Sequence, residues 1–302
     1  MRDSPLYDAI IVGGGPAGLS AALVLGRCRR RVLLCDVGKP RNAASRGLHG
    51  FLTRDGVLPE ELLRVGRQQL EPYGVEIASR EVARVKVGPR GFTLTLDDGR
   101  RLRCRKLLLA TGVMDRVPDI PGAAAMYGRS VFHCPYCDGW EMRDQPVAVY
   151  GRRVDAADLA LGLMNWTRDV VLLTDGPARM NRRWRDRLAR NRVAVREERV
   201  ERLEGRDGVL ERVVFARGEP LPRRGLFFRT AQYQRSPLAE ALGCEFNHKG
   251  TVRTDRLSAT CVPGLYCAGD ASEDVQLVIV AAAEGAKAAF AIDQALQKEA
   301  LR

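Results

Sequence analysis

Cys134-Pro135-Tyr136-Cys137-Asp138-Gly139 carries the residue types that do redox chemistry. Two thiols two residues apart can make and break a disulfide. One of them resolves a mixed disulfide formed by the other, and a neighbouring acid can pass the proton. Half of a zinc site has the same spacing, so the motif alone leaves a metal reading open. No second CxxC or Cys/His pair lies at zinc spacing, and His133 cannot complete a four-ligand cage with one pair. The expectation is a redox pair, with no metal. The catalytic residues expected are Cys134, Cys137 and Asp138.

Those thiols need a scaffold and an electron partner. Tyr7 to Val12 is a β-branched, apolar run that ends in Gly13-Gly14-Gly15-Pro16-Ala17-Gly18. Leu19 to Leu25 reads as helix, and Arg31 to Asp36 as a second strand ending in an acid. This is a βαβ unit with Gly13, Gly15 and Gly18 at G-x-G-x-x-G spacing. The first glycine makes the turn, the second lets a pyrophosphate approach, and the third packs helix on strand. Asp36 is placed to bond a ribose hydroxyl. A dinucleotide is therefore expected to bind here.

Further on, Leu58 to Tyr73 has helical periodicity. Val82 to Val87, Gly91 to Leu96 and Leu102 to Leu109 read as strands, with Asp97 to Arg100 as a hairpin turn. Leu107 to Gly112 is a buried strand ending in Thr-Gly. Prolines at 118 and 121 mark a boundary before the cysteines. A second βαβ follows: strand Pro146 to Tyr150, turn Gly151 to Ala156, helix Leu159 to Trp166, strand Val170 to Thr174. After Cys244 a buried strand runs from Gly264 into Gly269-Asp270, before a small-residue helix, Val278 to Leu296. The order is a first half, an inserted lobe and a return.

The 302 residues carry a net charge of +12, with 45% hydrophobic and 28% charged content, as in a soluble globular protein. No apolar run reaches the roughly 18 residues of a membrane span. Met1 to Asp8 has no signal-peptide pattern, and the remaining cysteines (28, 35, 104, 244, 261 and 267) are scattered, mostly in apolar segments. Both point to buried thiols in a reducing cytoplasm. The basic residues are 43 arginines and six lysines, concentrated locally over 179–192. That segment reads as a solvated helix face with Trp184 and Leu188 turned inward, or as a docking patch for an acidic protein. No nucleic-acid recognition motif accompanies it, and aromatic content is only 6%.

Taken together, these residues resemble the low-molecular-weight thioredoxin reductase family. The matching elements are Gly13-x-Gly15-Pro16-Ala17-Gly18, Ala110-Thr111-Gly112, Cys134-x-x-Cys137-Asp138-Gly139, Tyr266 to Asp270, and Gln276-Leu277, in that order over nearly the whole chain. The resemblance implies an α/β fold of two Rossmann-like three-layer domains. An FAD-binding domain (1–116 and 245–302) would be interrupted by a CxxC-bearing lobe (117–244). It also implies a homodimer. Asp270 would bond the flavin ribityl chain, and Gln276 and Leu277 would approach the flavin ring. Asn42, His49, Val82 and Gly269 join the expected cofactor contacts. Cys137 would be the thiol nearest the flavin, Cys134 would attack the substrate, and Asp138 would be the acid/base.

The departures from that family are equally informative. Its NADPH-using members carry a second G-x-G-x-x-A/G, but here the middle glycine position of Gly151-Arg152-Arg153-Val154-Asp155-Ala156 holds Arg153. A Cβ and a long side chain there obstruct a pyrophosphate. After the next strand, Thr174-Asp175 stands where the family has basic residues, and Asp175 would repel a 2′-phosphate. The expectation is that NADPH is not used; the alternative is an NAD(P)H-dependent thioredoxin reductase, with Asp175 at best favouring NADH. Arg152 and Arg153 would be solvated, or would hold another anionic group such as a second flavin. Pro40 to Leu52 and His133 to Glu141 look more like a side branch, and a second branch also lacks the nucleotide motif. One comprises gliotoxin- and holomycin-type dithiol oxidases, which commonly have His at the place of Asp138. The other comprises reductases fed by ferredoxin or a further flavin. The external partner would be a thioredoxin-like protein or a small dithiol or disulfide. A non-enzymatic redox sensor is the alternative of another class.

Overall fold

The structure is a computed structural model that describes residues 6–229, 231–272 and 275–301. It separates into two compact units: 1–43, 50–114 and 232–302 form the first, and 44–49 with 115–231 form the second. The return to the first unit comes at 232, not at the 245 expected from sequence. Strand β16 (Gln232–Gln234) pairs with β7 (Val113–Asp115), and Gln234 Nε2 donates to the carbonyls of Gly250 and Ala271, both at 2.9 Å. These bonds tie 232–244 to the first unit ahead of the boundary that the Cys244 region marked.

In the first unit, β1 (Leu6–Val12), α1 (Pro16–Arg27) and β2 (Val32–Cys35) are the expected βαβ. Pro16 starts the helix, where its missing N–H is no loss. Helix α2 (Pro59–Gln68) precedes β3 (Glu76–Ala78), the hairpin β4 (Val82–Gly88) and β5 (Gly91–Leu96), and then β6 (Arg101–Leu109). Short helix α7 (Leu238–Ala241), strand β17 (Leu265–Cys267) and the long helix α8 (Val278–Ala300) close the unit. The sheet order is β3-β2-β1-β6-β5-β4, with β17 parallel to the end of β6. Fully buried Ile11, Leu34 and Leu108 pack one face of the sheet against α1, including its Leu25, and α8. Each such side chain contributes about 1.5–3 kcal/mol. The two helices approach closely because small residues line the crossing; a Cβ on Gly285 would overlap the backbone of Ala17.

The second unit has a parallel sheet, β11-β10-β9-β15-β8. Its strands are β8 (Val131–Phe132), β9 (Val147–Tyr150), β10 (Val170–Leu173), β11 (Ala194–Arg196) and β15 (Gly225–Phe228). Helices α5 (Val154–Leu163) and α6 (Arg182–Arg190) cover one face. The other face carries α3 (Ala123–Met126) and the antiparallel β12 (Val200–Arg206), β13 (Val209–Phe215) and β14 (Leu221–Pro222). Each unit is thus a sheet between two layers, a Rossmann-like three-layer arrangement. Leu188 of α6 is fully buried and Trp184 partly so, while the arginines of the helix face outward. Among the described residues no helix is long and apolar enough to cross a membrane.

Candidate functional site

The cysteines open α4 (Pro135–Asp138), a single helical turn. Cys134 has extended backbone and caps that turn, its sulfur accepting from the Cys137 N–H at 3.1 Å. The two cysteines are joined as a disulfide with Cα atoms 5.3 Å apart. Tyr136, exposed between them, meets Trp166 edge-on at 5.9 Å, and Trp140 is exposed beneath the Arg143 guanidinium.

Asp138 lies at the end of the turn, only half-buried. The groups packed around it nevertheless desolvate its carboxyl, and nearby Glu141 adds like charge. Together these push its pKa from 3.8 up to about 7. Such a group holds or releases a proton near neutral pH, which an acid/base at a disulfide requires. In the first unit, burial pushes the Cys35, Cys104 and Cys267 thiols up to about 12.

Two arrangements beside the pair were not legible in the sequence. The Tyr127 hydroxyl donates to Asp115 Oδ2 at 2.8 Å and meets His133 Nδ1 at 3.0 Å, orienting the residue before Cys134. His49, expected at the cofactor, groups with the second unit, its Nε2 3.4 Å from Glu141 Oε1.

In the first unit the segments beginning at Gly13, Ala110 and Ala268 follow the carboxyl ends of β1, β6 and β17. The Ala110 N–H donates to Val12, and that of Ala268 to Leu109. The neighbours of β1 lie on its opposite sides, so this is the switch point of the sheet, where such folds take ligands. Gly13 has φ +109°, and a Cβ there would overlap Ala110. Gly18 packs on Gly13 so closely that a Cβ would overlap its carbonyl oxygen, whereas a Cβ on Gly15 would meet nothing within 4 Å. That open cradle at the start of a 12-residue helix, behind Pro16 and Ala17, suits a pyrophosphate. Asp36 lies against the same turn, since a Cβ on Gly14 would come 2.6 Å from its Oδ2. Arg67 Nη2 donates to Asp36 at 2.6 Å, while its buried Nε has no partner. An orphaned donor beside the glycine turn fits a ligand rich in acceptors. Thr111 and Gly112 follow β6; Val82 is buried at the start of β4; Asn42 sits in the turn after Pro40.

At the third strand, Gly269 has φ +76° and Asp270 lies in the turn it begins. Arg41, which the sequence did not single out, donates from Nη1 to Asp270 Oδ2 at 2.8 Å and to Gln276 Oε1 at 2.7 Å. Gln276 and Gln232 exchange amide hydrogen bonds of 2.7 and 2.8 Å, and Leu277 caps α8.

The second unit's equivalent turn is built differently. Arg152 Nε donates to the Thr174 carbonyl at 2.9 Å, and its Nη2 lies 3.4 Å from Asp175 Oδ2. Asp175 also accepts from the Tyr150 hydroxyl at 3.2 Å and the Val200 N–H at 2.9 Å. The acid at the end of the second strand is thus engaged within the protein. Arg153, exposed, caps α5.

Comparison with known proteins agrees with this architecture. Thioredoxin reductase tcpT of Claviceps purpurea is 31% identical over 283 residues, covering 89% of this chain and 88% of its own. The crystal structure of HlmI superposes with a TM-score of 0.94 at 39% identity, covering 100% of this chain and 95% of that one. An oxidoreductase from Agrobacterium tumefaciens superposes with a TM-score of 0.90 at 34% identity, covering 97% and 99%. The family model described as pyridine nucleotide-disulphide oxidoreductase matches residues 7–285, a family that implies FAD. With two Rossmann-like units, a glycine cradle and a redox disulfide in place, the chain is an enzyme of the thioredoxin reductase-like class and belongs to the pyridine nucleotide-disulphide oxidoreductase family.

Proposed function

We propose that this chain moves electrons between FAD in its first unit and an external dithiol or disulfide, through Cys134 and Cys137, without a pyridine nucleotide. The observation that carries the reading is the Cys134–Cys137 disulfide beside a carboxyl that titrates near neutrality. Gly13, Gly15 and Gly18 would cradle the pyrophosphate, and Asp36 with Arg67 would take the adenosine ribose. Ala110 to Gly112, Gly269, Asp270, Gln276 and Leu277 would line the flavin end, with Asn42 and Val82 at its borders. When bound, FAD supplies a two-electron acceptor or donor.

In the oxidising direction, a substrate thiolate attacks Cys134 Sγ. The Cys134–Cys137 bond breaks, a mixed disulfide forms, and Cys137 leaves as a thiolate. A second substrate thiol, its proton taken by Asp138, attacks the substrate sulfur of the mixed disulfide and releases Cys134. The substrate leaves oxidised and the pair holds its two electrons. The reverse sequence reduces a disulfide.

Arg152 and Asp175 support the loss of NADPH, because Asp175 stands where a 2′-phosphate would need a cation and already accepts from Tyr150, Arg152 and the Val200 N–H. The same bonds weaken the reading of Arg152 as a ligand for a second flavin. The partner is a thioredoxin-like protein or a small dithiol. The other end of the flavin is served by oxygen or by an acidic carrier such as ferredoxin, which the outward arginines of α6 would attract. The protein would work as a cytoplasmic homodimer.

The test is anaerobic flavin bleaching by dithiothreitol, NADPH, NADH and reduced ferredoxin in parallel. The dithiol should bleach wild type, while Cys137→Ser keeps FAD but loses that bleaching. Bleaching by NADPH within seconds would overturn the donor assignment. Normal bleaching of the Cys137→Ser protein would overturn the role of the pair.

A further inference from the structure

We propose that Arg41 is a positioning residue that sets the redox poise of the flavin site; the inference rests on the FAD reading above. Arg41 follows Pro40 at the start of a turn, and its side chain is only 16% exposed. One guanidinium nitrogen bonds both Asp270 and Gln276, at 2.8 and 2.7 Å. Gln276 is oriented in turn by its two bonds to Gln232. Arg41, Gln232, Asp270 and Gln276, far apart in sequence, are thereby linked about one positive charge in the first unit. A charge-assisted bond in a partly buried place holds its geometry better than a neutral one.

The electrostatic consequence follows from the direction of charge. A flavin gains negative character as it takes up electrons, and charge fixed near its ring shifts its potential. A cation held where solvent is partly excluded stabilises that gain without having to reorganise. Arg41 also offsets the Asp270 carboxylate. Removing the guanidinium would both delete the cation and leave Asp270 uncompensated, and each change disfavours the reduced cofactor. The site is thus biased toward accepting electrons from a dithiol.

The experiment measures the flavin midpoint potential of the reconstituted holoprotein by equilibration with a redox dye, in wild type, Arg41→Gln and Arg41→Lys. Arg41→Gln should shift the oxidised-to-reduced ratio about tenfold toward oxidised, about 30 mV for a two-electron couple. Arg41→Lys, which keeps the charge, should recover most of that shift. A ratio within twofold of wild type in Arg41→Gln overturns the proposal, as do equal shifts in both variants. So does loss of FAD from both variants, which would make Arg41 a retention residue. Failure of the underlying reading shows separately, as a wild-type chain that takes up no FAD.

Discussion

Replacing Asp138 by Asn removes a carboxyl that the fold holds protonated well above its ordinary range. Because the folded-state value is raised, the folded protein binds more protons than the unfolded chain between about pH 4 and 7. Stability therefore falls as pH rises through that window, and is level on either side. Moving the carboxyl from 3.8 to about 7 corresponds to about 4 kcal/mol if the site were wholly dry. Asp138 keeps some contact with solvent, which reduces the expected cost to about 2 kcal/mol. Asp138→Asn should then be more stable than wild type at pH 8 by about that much, relative to their difference at pH 4.5. Urea unfolding followed by tryptophan fluorescence measures this cleanly, because Trp140, Trp166 and Trp184 all lie in the second unit. Glu141→Gln should recover less than half of the effect, since desolvation, not Glu141, is the larger cause. The variant should also slow dithiol oxidation about 100-fold and lose the rise in rate through pH 7. A stability difference constant within about 0.5 kcal/mol from pH 4.5 to 8 would refute the raised pKa and with it the acid/base assignment.

Gly15→Ala and Gly18→Ala separate ligand space from packing. The first should leave the urea midpoint unchanged and weaken FAD binding at least tenfold, while the second should cost about 2–4 kcal/mol through the clash with Gly13. Equal effects on both measurements would mean that the cradle is not open. Arg152→Ala combined with Arg153→Gly should raise the rate of flavin bleaching by NADH at least tenfold; no gain would show that something other than these side chains closes the second turn. Leu188→Ala should destabilise the second unit by about 2–4 kcal/mol, against less than about 0.5 for Arg187→Ala on the exposed side of α6, both read by urea unfolding. Similar losses would contradict the outward orientation of the arginines.

Much of the first unit was legible because its signals are local. Gly13, Gly15 and Gly18 report steric demands of one turn, and the apolar runs of β1, β2 and β6 name buried parallel strands whatever surrounds them. The redox character of Cys134 and Cys137 is likewise a matter of spacing. The strands of the second unit's antiparallel layer were not singled out, because half-exposed segments such as Val200–Arg206 alternate only weakly with charge.

Long-range pairing stayed hidden for a different reason. Arg41 is one of 43 arginines, and nothing in its neighbours announces that it closes on Asp270, 229 positions away. His49 stood among the expected cofactor residues, and the fold groups the chain from 44 to 49 with the second unit. Arg153 marked the damaged second turn in sequence, yet it is Arg152 that reaches Thr174 and Asp175. The sequence by itself determined which chemistry this chain carries, a disulfide pair, an acid and a dinucleotide cradle, because those depend on residue types a few positions apart. Only the tertiary structure decided how each is tuned. Burial moves the Asp138 proton, and charges from distant segments meet at Asp36, Asp175 and Asp270, because desolvation and Coulomb interaction depend on distance in space and not along the chain.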